Sequence, residues 1–429
     1  MSPRAGAIAV VFVANGVGGP SFLARLPDRQ DALHLSDGAL GLTIAGMALG
    51  ALVASPTAGR AVGAVGSRRV VLASAVALGA SMWLTGVAPS APLLFGALAL
   101  VGAADAAMDI SMNANGAAYE KRTGRSILHR LHAAWSLGAL AAAALAGVAA
   151  SRGVSLTTHL AVVGGVLTLA TLLVRSGLVP DDAPAPGAPS TSSAPDRIGV
   201  DAAVPAVSAP PAVPDPDGAA RPSLRGRPAD GDRSKDGGRT ARRWGGPLIV
   251  LGLATVGGAM IEGGSSDWAA VQLERYGASA GVAAGGVAAF MTGMVTGRLA
   301  GDHLAERWGE RRLLRTGMVL AAAGLTAGAL AGHPAVFVAG LLLAGAGASG
   351  FFPLAFSAAS RTPGVAPGVG AATVSLAARI GFLLEPPLIG VLAELLALRW
   401  VFVLVAGVAA TMALAAARIV PDRAAATPH

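Results

Sequence analysis

Two similar segments, "GAVGSRRVV" (63–71) and "ERWGERRLL" (306–314), each place a glycine and a pair of arginines between two long apolar stretches. In this alignment Gly66 corresponds to Gly309. Three further pairs of residues have the same separation in the sequence: Ser36 and Ser279, Gly50 and Gly293, and Gly138 and Gly381. Four matches at one separation, spread over different apolar stretches, predict that the chain consists of two related halves.

The stretches that flank these segments are apolar enough to cross a membrane. The chain has 429 residues, of which 53% are hydrophobic and only 13% are charged, whereas soluble proteins carry about 25% charged residues. A helix needs about 20 apolar residues to span the bilayer core. We therefore predict an all-α integral membrane protein with twelve spans, near residues 5–24, 38–59, 69–88, 92–117, 127–150, 157–175, 246–270, 278–300, 312–332, 334–358, 365–393 and 399–418.

The sequence argues against several classes of protein. The absence of cysteine excludes disulfides, thiolate metal sites and cysteine nucleophiles. We find no phosphate-binding loop, nucleotide fingerprint or metal-spaced histidine cluster, and we therefore expect neither an ATP-driven pump nor a bound metal or cofactor. The N-terminal apolar run follows a charge, as in a signal peptide. We interpret it as a retained first span, because cleavage would leave an odd number of spans.

Residues 180–243 differ in composition from the rest of the chain. They are rich in Pro, Ala, Gly, Ser and charged residues and lack apolar periodicity, which predicts a disordered cytoplasmic linker. The predicted domains are therefore an N-terminal six-helix bundle (1–179), the linker, a C-terminal six-helix bundle (244–420) and a cytoplasmic tail (421–429).

Basic residues are concentrated on one side of the predicted spans. If the N-terminus is cytoplasmic, most of the 32 Lys and Arg residues fall in cytoplasmic loops. The exceptions on the opposite side are Arg25, Arg29, Arg152, Arg275 and Arg399. This asymmetry follows the positive-inside rule and predicts a bacterial inner-membrane protein with both termini in the cytoplasm. It also accounts for the net charge of +8 without a nucleic-acid partner.

The loop after the eighth predicted span resembles the loop signature of the major facilitator superfamily. In that family an acidic residue is followed by an arginine, a glycine and a basic pair, and the matching residues are Glu306, Arg307, Gly309, Arg311 and Arg312. The resemblance implies two six-helix halves around a central site, as in secondary transporters built from parallel repeats. It also implies that the charges of this loop latch helix ends together on the cytoplasmic side.

The first copy of this loop departs from the family pattern. Gly66 and Arg68 are retained, but Gly63 and Ala64 replace the usual acidic residue and arginine. We therefore expect the second copy to contribute more to the latch.

A second region (109–140) is similar to uncharacterised inner-membrane transporters of the YbjJ-type, fucose-permease-like branch of the superfamily. The residues that carry this similarity are Asp109, Met112, Asn113, Glu120, Gly124, Arg125, His132, Ser136, Leu137 and Gly138. Glu385 and Arg379 depart from the branch, which usually has a small residue and an aromatic residue at these positions. The likeness to fucose permease is the sole support for a sugar as the substrate.

Three polar residues follow each other at intervals of four in the fourth predicted span: Asp105, Asp109 and Asn113. This spacing keeps them on one face of a helix. A charge at the bilayer centre costs about 2.5–3.5 kcal/mol on insertion scales, so we expect these side chains to face the bundle interior. In the resembling family this span lines the central cavity, which favours substrate or proton binding. The alternative is a hydrogen-bonded cluster that stabilises helix packing.

The first and seventh predicted spans also carry polar candidates. Glu262 and Asp267 are five residues apart and lie on different sides of the helix, and Glu262 is the deeper candidate for a carboxylate that titrates. Trp268 either anchors the helix at the membrane interface or stacks on substrate. Asn15 either binds a polar ligand where the glycine-rich first span loosens, or forms a hydrogen bond to a neighbouring helix.

His132 and Arg379 complete the set of candidate residues. His132 either relays protons near neutral pH or holds the loop after the fourth span against Glu120. Arg379 lies well inside a predicted span, so it requires a partner, which is either an acidic residue on another helix or an anionic ligand.

These features predict a proton-coupled secondary active transporter that moves a small polar solute, a sugar or an organic acid, by alternating access. We expect a monomer with no cofactor. The alternatives are an exporter of a metabolite or drug, and a transport-inactive receptor or scaffold. Drug/proton antiport of the common kind is disfavoured, because the fourth span lacks the family's arginine and the fifth lacks its Gly-Pro element. The transporter-like repeat through the whole chain disfavours an intramembrane enzyme.

Overall fold

The computed structural model describes residues 2–180, 237–362, 365 and 367–420. The predicted all-α membrane architecture is confirmed, since the described residues contain twelve helices that are long and apolar enough to cross a membrane. Most of the predicted linker and the whole predicted tail (421–429) lie outside the described residues. Residues 237–243, predicted as the end of the linker, belong to a helix that begins at Gly237.

Each half contributes six membrane spans. The helices of the N-terminal half are α1 (Pro3–Leu23), α2 (Leu26–Ala32), α3 (Asp37–Val65), α4 (Ser67–Val87), α5 (Ala91–Thr123), α6 (Leu128–Ser151) and α7 (Leu156–Leu173), followed by a 3-10 turn (Arg175–Gly177). Those of the C-terminal half are α8 (Gly237–Asp267), α9 (Ala269–Arg275), α10 (Ala280–Trp308), α11 (Glu310–Ala331), α12 (Pro334–Ala348), α13 (Phe351–Ser360), α14 (Pro367–Leu396) and α15 (Leu398–Ile419). Helices α12 and α13 together form the tenth span.

The backbone at corresponding positions repeats between the halves. Gly66 joins α3 to α4 with φ 91° and ψ 156°, and Gly309 joins α10 to α11 with φ 81° and ψ 149°. Residues other than glycine rarely adopt a positive φ, which explains the glycine in both copies of the loop. Ser36 and Ser279 occupy the N-cap positions of α3 and α10. The predicted duplication is therefore present in the fold.

Glycines set the distance between helices inside each half. A Cβ atom placed on Gly50 of α3 would lie 1.9 Å from the carbonyl oxygen of Ala99 on α5. The corresponding contact joins Gly293 of α10 to Leu342 of α12, at 2.1 Å. No side chain fits at these distances, so the backbones touch directly. Such contacts allow helices to associate in lipid, where no hydrophobic effect drives them together.

Two short helices, α2 and α9, have no counterpart among the predicted spans. Each follows the first span of its half and is too short to cross the bilayer. They meet each other at one end of the bundle, which we call the α2/α9 end. The opposite end, where α1 begins and α15 finishes, is called the termini end.

The two halves meet mainly where α3 packs on α14 and α6 packs on α10. A Cβ on Gly41 of α3 would lie 2.1 Å from the carbonyl oxygen of Pro386 on α14. Near the start of α3, Asp37 is paired with Arg275 of α9. These contacts join the halves at the α2/α9 end, so the structure is closed at that end.

Candidate functional site

Asn15 of α1 connects two other helices of the N-terminal half. Its Nδ2 donates a hydrogen bond of 2.8 Å to Oδ1 of Asp105 on α5, and its Oδ1 accepts one of 2.9 Å from Nε1 of Trp135 on α6. Asn15 is buried and α1 is continuous through it, so the expected loosening of the first span is wrong. The structure shows the alternative, a hydrogen bond to a neighbouring helix. Trp135 gave no polar signal in the sequence because tryptophan suits an apolar span.

The polar stripe predicted for the fourth span lies on one face of α5. Asn113 Nδ2 donates to Asp109 Oδ1 at 3.0 Å and to the Asp109 carbonyl oxygen at 2.9 Å, one helical turn away. Asp105 and Asp109 are close enough for their charges to act on each other. All three side chains are half-buried, so they line the interior and do not face lipid.

Arg379 of α14 brings the C-terminal half to this stripe. Its Nη1 donates a hydrogen bond of 2.8 Å to Oγ of Ser55 on α3, and its charge interacts with that of Asp109 on α5. Both partners belong to the other half. The acidic partner that Arg379 requires is therefore on another helix. The sequence did not indicate Ser55, because a hydroxyl in an apolar span usually bonds its own backbone.

A second group of carboxylates lies on α8. Asp267 Oδ1 accepts a hydrogen bond of 2.8 Å from Oγ of Ser266, and the charge of Glu262 acts on Asp267. Glu262 is also within electrostatic range of Arg298 on α10, whose side chain is exposed. Both carboxylates are half-buried. The C-terminal half thus contributes acidic groups near the exposed arginine.

Trp268 and Glu385 are fully buried where α8 meets α14. Trp268 is 0% exposed and Glu385 is 1% exposed. A tryptophan buried to this degree does not anchor a helix at a membrane interface, so that interpretation is wrong, and the indole offers no surface for stacking on substrate in this state. Glu385 appeared in the sequence only as a departure from the family pattern.

His132 lies on α6, just after the loop between α5 and α6, and its predicted role in holding that loop stays a prediction. That loop is held by Glu120, whose Oε1 accepts hydrogen bonds from the backbone N–H groups of Ile127 (2.6 Å) and Leu128 (2.9 Å). The imidazole of His132 packs edge-on against the ring of Phe12 on α1, with 5.3 Å between centroids. Its predicted role in a proton relay stays a prediction.

The predicted latch lies at the termini end, beside the start of α11. Glu306, Arg307, Arg311 and Arg312 are exposed, as is Gly309. In the part of the chain that the structure describes, the ion pair at this loop joins Glu310 to Arg361, which follows α13. In the first copy, Gly66 and Arg68 are half-buried. The latching role of the predicted residues stays a prediction.

Glu274 of α9 faces acidic residues of α2 at the closed end. Burial, together with the negative charges of Asp31 and Asp28, raises the pKa of the Glu274 carboxyl to about 7. Asp28 is paired with Arg25 at 2.6 Å, which leaves the repulsion from Asp31 less compensated. The contact between α2 and α9 therefore takes up a proton at Glu274.

Replacement of Glu274 by glutamine is expected to strengthen the α2/α9 contact severalfold at pH 8 and to have little effect at pH 4.5. A carboxyl whose pKa is raised from 4.5 to about 7 favours the closed form at low pH, and this contribution is lost as the pH rises between those values. Because the chain has no cysteine, spin labels at Ala32→Cys and Ala280→Cys, both exposed positions at this end, report the distance between the halves.

The control for this experiment is Arg399→Gln. Arg399 is exposed at the same end, at the start of α15, and its substitution tests whether loss of any charge there changes closure. An identical pH profile for Glu274→Gln and the unmodified chain would contradict proton uptake at Glu274.

No group of three or more His, Asp or Glu side chains suited to a metal ion occurs among the described residues. The site consists instead of carboxylates, amides, an indole N–H and an arginine, placed between two halves that meet at one end. Such groups bind and release protons and form hydrogen bonds with polar solutes.

The sequence profile of the Major Facilitator Superfamily matches residues 6–301 and 248–429. The chain is 28% identical over 414 residues to "Uncharacterized transporter y4wD" of Sinorhizobium fredii, with 95% of this chain and 96% of that protein covered. It is 27% identical over 394 residues to "Membrane protein MosC" of Rhizobium meliloti, with 90% and 83% covered.

Solved structures share the fold at low sequence identity. A mutant of the nucleoside transporter NupG superposes with a TM-score of 0.70 at 11% identity, covering 97% of this chain and 99% of that one. A D-xylose-proton symporter superposes with a TM-score of 0.65 at 11% identity, covering 97% and 98%. The matched profile spans both halves and the duplicated twelve-helix fold agrees with it, so this chain is a membrane transporter of the major facilitator superfamily.

Proposed function

We propose that this chain is a proton-coupled secondary transporter that moves a small polar solute, a sugar or an organic acid, by alternating access. The observation that carries the proposal is the interaction of Arg379 with Asp109 and Ser55. It places opposite charges inside the membrane at the junction of the two halves. Because those halves move relative to each other during alternating access, a change of charge at Asp109 changes the energy of the junction.

The chemistry of the cluster around Asp105 supports a polar solute. Asp105, Asn15 and Trp135 provide an acceptor, an amide and an aromatic ring in one hydrogen-bonded group. Sugars and organic acids are recognised through directional hydrogen bonds of this kind. Two solved structures with this fold carry the names of a nucleoside transporter and a D-xylose-proton symporter, which supports a polar solute and proton coupling in this chain too.

Several finer assignments belong to the same proposal. The motif in residues 109–140 supports the YbjJ-type, fucose-permease-like branch. The distribution of arginines supports an inner membrane location with the termini end in the cytoplasm and the α2/α9 end outside. We further propose that the chain works as a monomer, is not an enzyme, and joins its halves through a cytoplasmic linker.

Two other functions are compatible with the fold. Export of a metabolite or drug uses the same architecture as import. A transport-inactive receptor is favoured by one observation, the missing charges at Gly63 and Ala64 in the first copy of the latch. Substrate-dependent proton flux into liposomes separates this function from a transporter.

Asp109→Asn and Glu262→Gln are expected to abolish the pH dependence of transport. The substrate is first identified by a thermal-shift screen, since a ligand that binds only the native state raises its stability. In liposomes, each variant should retain solute exchange but lose proton-driven accumulation by about tenfold or more, because the neutral side chain carries no proton. Arg399→Gln, at an exposed position of α15, serves as the control.

Unchanged pH dependence in both variants would refute proton coupling through these residues. Absence of uptake and of exchange in the unmodified chain, with every ligand that the screen detects, would instead favour the receptor.

A further inference from the structure

Glu385 of α14 is a carboxylate without a hydrogen-bond partner in the core of the C-terminal half. Neither oxygen is bonded to any group in the part of the chain that the structure describes. The indole N–H of Trp268, the residue between α8 and α9, interacts with this carboxylate but lies outside hydrogen-bond geometry, and it too is unpartnered. Buried polar groups in folded proteins are nearly always bonded, so this site requires an explanation.

The surroundings of Glu385 oppose a negative charge. Burial of a charged carboxylate costs several kcal/mol unless a partner compensates it. The strongest charge that acts on Glu385 is that of Asp267, which has the same sign. Gly263 packs so closely that a Cβ there would lie 2.6 Å from Glu385 Oε2, which leaves no space for water on that side. A protonated carboxyl removes the charge and most of the cost.

Glu385 is next to the contact that closes the α2/α9 end. The carbonyl oxygen of its neighbour, Pro386, touches Gly41 of α3, and one turn further Gly390 packs against the backbone of Asp37, with a Cβ-to-oxygen distance of 2.3 Å. When the halves separate at this end, α3 moves away from α14 at both Pro386 and Gly390. Water then reaches the helix beside Glu385, and the charged carboxylate is solvated.

Charged groups on the other helices that pack against α14 are engaged elsewhere, have the same sign as Glu385, or lie exposed toward the termini end, as Arg60 of α3 and Arg418 of α15 do. These helices are α3, α8, α13 and α15. Asp37 of α3 is paired with Arg275, Arg361 after α13 is paired with Glu310, and Arg399 of α15 lies over the ring of Trp400. On α8, Glu262 and Asp267 are carboxylates and supply no compensating positive charge. Glu394, on α14 itself, is exposed and bonded to Gly38.

We propose that Glu385 is a second proton-binding site, whose protonation favours closure of the α2/α9 end and whose ionisation favours its opening. The site deepens the proposed function, on which it rests, because it links proton binding to closure of one end independently of the cluster at Asp109. Closure of the bundle then requires a proton at Glu385, and a lower pH favours the closed form.

The test measures closure directly in the full chain. Spin labels at Ala32→Cys and Ala280→Cys report the closed fraction in lipid nanodiscs between pH 5 and pH 9, without substrate. The background is Glu274→Gln, because Glu274 titrates at the same end. If closure is coupled to one proton, the ratio of closed to open form changes by about tenfold per pH unit. This holds between the pKa of the coupled carboxyl in the open form and its pKa in the closed form.

We expect the Glu385→Gln protein to remain closed at pH 8 and above. The number of protons coupled to closure, read from the pH dependence, should fall by about one. Arg399→Gln, which removes a charge at an exposed position at the start of α15, should leave the profile unchanged. Glu385→Ala also removes the charge and should give the same loss of pH dependence, so the test remains decisive if one variant fails to fold.

Identical midpoints and amplitudes in Glu385→Gln, Glu385→Ala and the background chain would overturn the proposal. So would a closed fraction that follows sodium concentration at constant pH, since the site would then hold a cation. Failure of the transport assay does not affect this test, because closure is measured without a solute. If transport does not depend on pH but closure does, proton-coupled transport is refuted and the assignment of Glu385 as a proton site is retained.

Discussion

Replacement of Arg379 by glutamine is expected to reduce transport by about a hundredfold and to lower the thermal stability of the chain. The guanidinium joins α14 to Ser55 on α3 and compensates the charge of Asp109 on α5. Arg379 and Asp109 are half-buried, so removal of the guanidinium, which leaves Asp109 uncompensated, costs less than the roughly 3–5 kcal/mol of a fully buried pair. Since about 1.4 kcal/mol corresponds to a factor of ten, a hundredfold effect requires about 2.8 kcal/mol at this junction.

A double substitution separates the two consequences. Arg379→Gln combined with Asp109→Asn leaves no unpaired charge, so we expect it to restore the melting temperature measured by intrinsic tryptophan fluorescence. Proton-driven accumulation should remain lost, because the side chain of Asp109→Asn binds no proton. Arg399→Gln is the control, since Arg399 is exposed and should tolerate the change. A double variant as unstable as Arg379→Gln alone would show that the two charges do not compensate each other.

Alanine at Gly41 and alanine at Gly50 are expected to have large and different effects, although both glycines are on α3. Gly50 contacts Ala99 within one half, at 1.9 Å from a built Cβ, and Gly41 contacts Pro386 of the other half, at 2.1 Å. Overpacking costs about 1–3 kcal/mol and sometimes more. Gly50→Ala must therefore separate α3 from α5 inside a folded unit, so the melting temperature and yield of the protein should fall.

Gly41→Ala relieves its clash by a movement that the transporter already makes. Opening of the α2/α9 end separates α3 from α14, so the melting temperature should stay close to that of the unmodified chain. The closed fraction reported by the labels at Ala32 and Ala280 should fall by about tenfold. Gly63→Ala is the matched control on the same helix, because no atom lies within 4 Å of its built Cβ.

Equal losses of stability in Gly41→Ala and Gly50→Ala would show that the contact between the halves is part of the folded core. It would then not be a junction that opens.

Most of the fold could be predicted because it depends on local periodicity in the sequence. The apolar stretches gave the twelve spans, and the spacing of four residues placed Asp105, Asp109 and Asn113 on one face of α5. Both depend only on the pitch of a helix and the thickness of a bilayer. The repeated glycines and serines indicated the duplication because each half needs the same close contacts and the same helix starts.

The candidate site could be predicted only in part. The sequence indicated that Arg379 requires an acidic partner, since an isolated charge in a membrane is costly, but it did not identify which acid. Asn15 posed a similar problem, and only the structure showed its bonds to Asp105 and Trp135. The sequence did not indicate that Glu385 lacks a hydrogen-bond partner, because this depends on which side chains the neighbouring helices place around it.

The sequence by itself thus determined the class of the molecule, its two halves and the polar face of α5, because these follow from residues close together in the chain. The tertiary structure decided which helix faces pack against each other. It paired Arg379 with a helix of the opposite half, joined α2 to α9 and buried Glu385 beside the closing contact. The physical reason is that the rotation and tilt of helices are set by packing between small residues far apart in sequence.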